Sequence, residues 1–203
     1  MVEQPFFIHV NSSCGRYIRK KLCEKYNDNF IVHHINPNLW RKDVQREKII
    51  RCWQFRDVRL KYESPLKKYS NAKLSDFNNI VPFVILREPV ERYISENKNV
   101  ENAGNDSRSY NITCKSLYIA FTGDYNNFFL DFTEVMYDEL IVLLENIIVI
   151  PLNKIDKLST FFEFNSEPEY KPKQSVITDD YEDLKQKNYF DCKLYEYYNN
   201  NHI

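Results

Sequence analysis

Apolar residues fall along this chain in two rhythms. Short runs of strand formers ("FFIHV" at 6–10, "NFIVHHI" at 29–35, "IVPFVIL" at 80–86 and "IIVIPL" at 147–152) are separated by stretches in which apolar positions recur every three or four residues. The run at 80–86 is apolar throughout, which suits a central strand buried on both faces. After the first run, Ile18, Leu22 and Tyr26 are four apart among Arg19, Lys20, Lys21, Glu24 and Lys25, and predict an amphipathic helix. "REPVERYISENK" predicts a second helix with Pro89 in its first position, where the missing N–H costs nothing. "NITCKSLYIAFTG" predicts a third that stops at Gly123. Further helices are expected over "DFTEVMYDELIVLLEN", "KIDKLSTFFEF", "DDYEDLKQ" and "DCKLYEYY".

Residues 41–68 are charge-rich and net basic, and read as helix with Ile49, Ile50 and Trp53 as buried anchors. The tail at 199–203, "NNNHI", reads as frayed. Strands alternating with helices predict an α/β chain with a mainly parallel sheet flanked by helices, in a single domain over 1–203.

Composition narrows the function classes. With 28 basic against 29 acidic residues, no global charge selects nucleic acid or a membrane surface, so any charged function must come from local patches. There are only 3 glycines, so few turns can use glycine to reach positive φ. Cys14, Cys23, Cys52, Cys114 and Cys192 are scattered with no C-x-x-C pair, so neither a zinc site nor a disulfide framework is expected, and no metal. No apolar run reaches the length of a membrane span, and "MVEQPFFIHV" has neither the basic region nor the apolar stretch of a signal peptide. An intracellular, soluble setting is the default expectation.

Two predicted strand-to-helix turns have the design of phosphate sites, because helix N-termini beyond the carboxyl ends of parallel strands present unpaired N–H groups. The first is Asn11-Ser12-Ser13-Cys14-Gly15-Arg16, with two hydroxyls, a glycine, and Arg19 and Lys20 close by. Its plain alternative is an ordinary turn before a solvated basic helix. The second is Leu86-Arg87-Glu88-Pro89-Val90-Glu91-Arg92, with Ser95 two turns into the helix. An arginine at the end of a buried strand cannot shed its charge and needs an anionic partner. The plain alternative there is an Arg87–Glu91 or Arg92–Glu88 ion pair on the surface.

Together these stretches resemble the sulfotransferase superfamily, in particular the carbohydrate sulfotransferase branch that includes heparan sulfate 2-O-sulfotransferase. "FIHVNSSCGRY" occupies the frame of that family's opening F-I-H-[IV]-P-K-T-[GA]-[GS]-T-[ST], a partial match. "REPVERYIS" matches the later R-[DE]-P-[VI]-E-R-x-x-S at every fixed position. "FIVHHINPN", "NITCKSLYIAFTG" and "DCKLYEYY" are similar to the family's second strand, its N-x-x-T-x-x-L-x-G helix and its D-x-x-L-Y-E-[YF] helix, so the likeness extends over most of the chain.

The resemblance implies a P-loop, nucleotide-kinase-like sulfotransferase fold. It implies 3′-phosphoadenosine 5′-phosphosulfate (PAPS) as co-substrate and sulfonate transfer to a hydroxyl, of a carbohydrate. By position, Ser12, Ser13, Cys14, Gly15, Arg16 and Tyr17 would cradle the 5′-phosphosulfate, and Arg87 and Ser95 would hold the 3′-phosphate. Lys173, with Lys171 and Ser175, falls where the family has a loop closing over the nucleotide, and the plain alternative is solvated loop charge. The basic segment 41–68 falls in the acceptor region and would help to hold an anionic glycan.

Two departures bear on catalysis. Ser12 stands where the family has a lysine, with Asn11 in place of proline and Cys14 in place of a small residue. Ser12 can donate a neutral hydrogen bond but cannot neutralise charge, and Arg16 would substitute if its side chain folded back across the loop. The 2-O branch also has a histidine base between the second strand and the Arg-Glu-Pro strand, and no histidine lies between 35 and 201 here. His33 and His34, at the end of a predicted strand, are the candidate bases; Glu47 and Glu63 stay open, and His9 reads as structural. Three readings follow: an active sulfotransferase, a family member that binds nucleotide or glycan without transfer, and an interaction module docking an acidic partner through 41–68. A fourth, a GTPase suggested by Asn153-Lys154-Ile155-Asp156, fails because no G-x-x-x-x-G-K-[ST] run exists to wrap the phosphates. In the sulfotransferase frame Asn153 or Asp156 would cap a helix instead.

Overall fold

Strand β1 (Gln4–His9) is flanked on both sides by parallel partners: β2 (Ile31–Ile35) on one side and β4 (Ile80–Leu86) on the other. Beyond β4 lies β5 (Ile148–Pro151), also parallel, so the four parallel strands run β2-β1-β4-β5. The computed structural model describes residues 3–10, 12–27, 29–35, 50–54, 73–97, 110–124, 127, 130–164 and 180–201. Within these, the expected α/β architecture with a mainly parallel sheet flanked by helices is present.

Alternation along the strands explains the two-sided burial. Phe6 and Ile8 of β1, Val10 just beyond it, Val84 and Leu86 belong to one buried cluster. That cluster is covered by α3 (Ile112–Thr122), α4 (Glu134–Leu144) and α7 (Tyr189–Asn201) through Leu117, Leu140 and Leu194. Phe7, Val32, Phe83 and Ile85 belong to the second cluster, with Ile18 and Leu22 of α1 (Gly15–Tyr26) and Leu158 and Phe162 of α5 (Leu158–Phe162). Helix α2 (Pro89–Asn97) follows β4, with Pro89 in its first position as expected, and α6 (Tyr181–Lys187) precedes α7. Burying apolar area at about 25 cal/mol per Å² on both faces of a sheet makes these clusters the main favourable contribution to folding.

The structure corrects three local expectations. Ile50–Gln54 is not helix but strand β3, paired antiparallel to β2 at the sheet's edge; the rest of 41–68 lies outside the described residues. An unpaired edge on β2 favours any nearby segment with strand formers such as Ile50 and Trp53, and that non-local demand overrides the charge-rich local pattern. Of the tail, 199–201 are helical and 202–203 lie outside the described residues; Asn199 is anchored, its side chain accepting from Asn153 Nδ2 at 3.0 Å and its carbonyl from Lys154 Nζ at 2.6 Å. Asn153 therefore joins α7 and does not cap the following helix. That stretch also begins as a 3₁₀ segment, Leu152–Lys157, before α5.

Scarcity of glycine is met by other residues. Asn27, Asn79 and Asn111 take φ between 52 and 56°, and Ser12, Cys14 and Glu163 are also left-handed. Asparagine tolerates this region better than most side chains. Gly123 ends α3 with φ 69°, as predicted for a helix stop.

Candidate functional site

The parallel strand order reverses direction at β1. From β1 the chain crosses to β2 on one side, and from β4 it continues to β5 on the other. The crevice beyond the carboxyl ends of β1 and β4 is therefore a topological switch point, where open α/β sheets bind ligands. Both turns nominated from the sequence lie there. Pairing of Phe7 with Phe83 and Ile8 with Val84 sets the two strand ends side by side, and the turns follow.

The two turns touch. Arg87 donates from Nη1 to the carbonyl oxygen of Ser12 at 3.1 Å. Its Nε lies 3.6 Å from Glu91 Oε2 and has no hydrogen-bond partner among the described residues. The Arg87–Glu91 pair weighed from the sequence thus exists, on a guanidinium that is only 10% exposed. Glu88 does not pair with Arg92. Its carboxylate caps α2 by accepting from the Glu91 N–H at 2.6 Å, and accepts from the Tyr181 hydroxyl at 3.4 Å. Ser95 is half-buried and follows Glu91 by four residues, which sets it on the same helix face.

In the first turn, Ser12 and Cys14 have φ of 60 and 53° and bracket Ser13. The Ser13 N–H bonds the Val10 carbonyl at 3.3 Å, closing the turn. The Ser13 hydroxyl is buried and finds no hydrogen-bond partner among the described residues. No side chain among the described residues caps α1, so its first N–H groups face the turn. Gly15 is required sterically: a Cβ there would lie 1.9 Å from His9 Nε2. His9 is thus packed on the start of α1, the structural role read from the sequence. Burial pushes the Cys14 thiol up to about 12 against the pull of the Arg87 guanidinium, which disfavours the thiolate.

The remaining candidates separate from this pair. Arg16 is exposed, and no contact draws it across the loop among the described residues. Arg19 turns back to the Gly15 carbonyl at 3.1 Å. Tyr17 is half-buried beside Lys21, whose ammonium sits 5.9 Å from the ring centroid. His33 is only 1% exposed and stacks on Phe6 with ring centroids 6.1 Å apart, so its imidazole lies within the core and not on the crevice. The His34 backbone pairs with His9 in the sheet. The His34 side chain, Lys171, Lys173, Ser175, Glu47 and Glu63 lie outside the described residues.

Sequence reasoning missed a buried polar cluster behind the second turn. Arg92, fully buried, lies 3.6 Å from Asp191 Oδ2 and 3.5 Å from Asn188 Oδ1. Asp191 accepts from the N–H groups of Thr113 and Cys114 at the start of α3. The signal was present in the spacing of "REPVERYIS", "NITCKSL" and "DCKLYEYY", whose polar residues prove to be each other's partners. A separate cavity of about 1140 Å³ lies between α4, α6 and α7, lined in part by Tyr137, Asp138, Glu182, Tyr189 and Lys193, and no residue of either turn lines it. Among the described residues no His, Cys, Asp and Glu group could hold a metal, and no helix is long and apolar enough to cross a membrane. Comparisons with protein-family models, with curated proteins and with solved structures returned no match to this chain.

Proposed function

We propose that this chain is a sulfotransferase-like protein that passes a sulfonate group from PAPS to a hydroxyl of a carbohydrate, on a P-loop, nucleotide-kinase-like fold. The observation that supports the reading is the contact of Arg87 with the Ser12 carbonyl at 3.1 Å, which joins two anion-seeking turns at the switch point. Residues 12–17 serve the 5′-phosphosulfate, and Arg87 with Ser95 the 3′-phosphate. The buried hydroxyl of Ser13, without a hydrogen-bond partner among the described residues, fits an oxyanion acceptor, since a buried hydroxyl left unpaired costs about 1–3 kcal/mol.

In the transfer, the acceptor oxygen bonds to sulfur and loses its proton to a base. The sulfur–oxygen bond to the 5′-phosphate breaks, and its electron pair stays on the phosphate. Donors aimed at that bridging oxygen lower the barrier. Binding without transfer is the second reading, favoured because position 12, where the family has its loop lysine, holds serine.

A thermal shift with 3′-phosphoadenosine 5′-phosphate tests the site. Stabilisation of the wild type, lost in the Arg87→Ala, Ser95→Ala double variant, is expected; a shift that survives both substitutions refutes it. No shift at all in the wild type leaves the interaction module through 41–68 as the better account. Transfer of labelled sulfate from PAPS to a panel of glycans then separates catalysis from binding.

A further inference from the structure

We infer that Arg87 supplies the positive charge of the first loop, and so reads the 5′-side anion of the nucleotide in addition to any 3′-phosphate. This rests on the proposed function and deepens it. An oxyanion entering the turn at 12–15 meets backbone N–H groups and the Ser13 hydroxyl, all neutral donors. A doubly charged group held by neutral donors in a half-buried crevice needs a cation close by.

The cations of α1 do not meet that need. Arg16 is exposed and Arg19 only partly buried, with its Nε on the Gly15 carbonyl at 3.1 Å, whereas the Arg87 side chain is 10% exposed. Lys20 and Lys21 lie more than a helical turn along from Gly15. Arg87 meets it from the neighbouring strand. One of its N–H groups is on the loop's own carbonyl at Ser12, and its field reaches the next turn residue, Cys14. A guanidinium carries five donors in a planar fork. The Ser12 carbonyl takes one and the buried Nε faces the Glu91 carboxylate at 3.6 Å, so the Nη groups supply the rest. That leaves donors for a two-point contact with a phosphate or sulfate oxygen pair. A lysine within the loop becomes unnecessary because β1 and β4 are adjacent, which brings the end of one strand to the turn of the other.

The test separates the two ends of the nucleotide. Adenosine 5′-phosphosulfate, which lacks the 3′-phosphate, and 3′-phosphoadenosine 5′-phosphate are titrated by calorimetry into the wild type, Arg87→Lys, Arg87→Gln and Ser95→Ala. Arg87→Gln is expected to weaken adenosine 5′-phosphosulfate roughly tenfold or more. Arg87→Lys, which keeps the charge, should recover much of that loss, and Ser95→Ala should weaken only the ligand with the 3′-phosphate. Recovery by lysine distinguishes lost charge from lost folding. If Arg87→Gln weakens only the 3′-phosphate ligand, the inference is overturned while the proposed function stands. If the wild type binds neither ligand, both fall.

Discussion

Asn111 and Asp191 cap each other's helices. The Asn111 Oδ1 accepts from the N–H groups of Phe190 and Asp191, at 3.0 and 3.2 Å, at the start of α7. The Asp191 carboxylate accepts from Thr113 and Cys114, at 3.0 and 2.8 Å, at the start of α3. Each side chain thus satisfies two of the backbone donors that the other's helix leaves unpaired. Arg92 sits against the same carboxylate, so the helix after the second turn is locked to both.

Removing either cap should destabilise the fold unequally. Asp191→Ala takes a buried carboxylate away from the buried Arg92 and from two helix N–H groups, and is expected to cost about 3–5 kcal/mol. Asn111→Ala loses the cap and sets alanine at a left-handed φ of 53°, at about 1–3 kcal/mol. Because the Asn111 side chain bonds the Asp191 N–H, the two sites are coupled and the double variant should lose less than the sum. Urea unfolding of the three variants measures this, and a loss below about 1 kcal/mol for Asp191→Ala would contradict the buried pair.

Gly15→Ala should disturb the first turn, because its Cβ would meet the His9 ring at 1.9 Å. Overpacking of this kind costs about 1–3 kcal/mol. The second-site change His9→Ala removes the obstacle, so the double variant should be more stable than Gly15→Ala plus His9→Ala added independently. Additive losses in urea melts would show that the ring does not constrain position 15.

Glu91→Gln should strengthen anion binding at the switch point. Its carboxylate lies 3.6 Å from Arg87 Nε and competes with an incoming phosphate for the same guanidinium. Partly exposed pairs contribute about 0.2–1 kcal/mol, so a gain of roughly two- to fivefold in affinity for adenosine 5′-phosphosulfate is expected. Calorimetry that finds weaker binding would mean Glu91 holds Arg87 in its productive pose.

Alkaline pH should unfold this protein early. Burial raises the thiols of Cys14 and Cys192 from 9.0 to about 12, and the Tyr198 phenol from 10.0 to about 12. The fold favours the protonated forms, so from about pH 9 upward the unfolded chain binds fewer protons than the native one. Stability is then full below about pH 9 and lost progressively toward about pH 12. Urea midpoints recorded across that range should fall, and a flat profile would contradict the burial of these groups. At about pH 8, iodoacetamide should leave Cys14 unmodified until the chain is unfolded.

The strands and most helices could be read from the chain because their causes are local. "IVPFVIL" matches β4 over Ile80–Leu86, and Pro89 and Gly123 mark helix ends through their own backbone geometry. Ile50–Gln54 could not be read this way, since what makes it a strand is the open edge of β2. Both turns were visible as candidates, one by one, from residue type and position. Strand order alone sets them together, and it brought Arg87 to the Ser12 carbonyl of the first turn, while the fold carried His33 into the core beside Phe6. Residue type thus determined which groups could bind an anion. Which of them converge was decided by pairing between strands distant in sequence, because a hydrogen-bonded neighbour about 5 Å away leaves no trace in local periodicity.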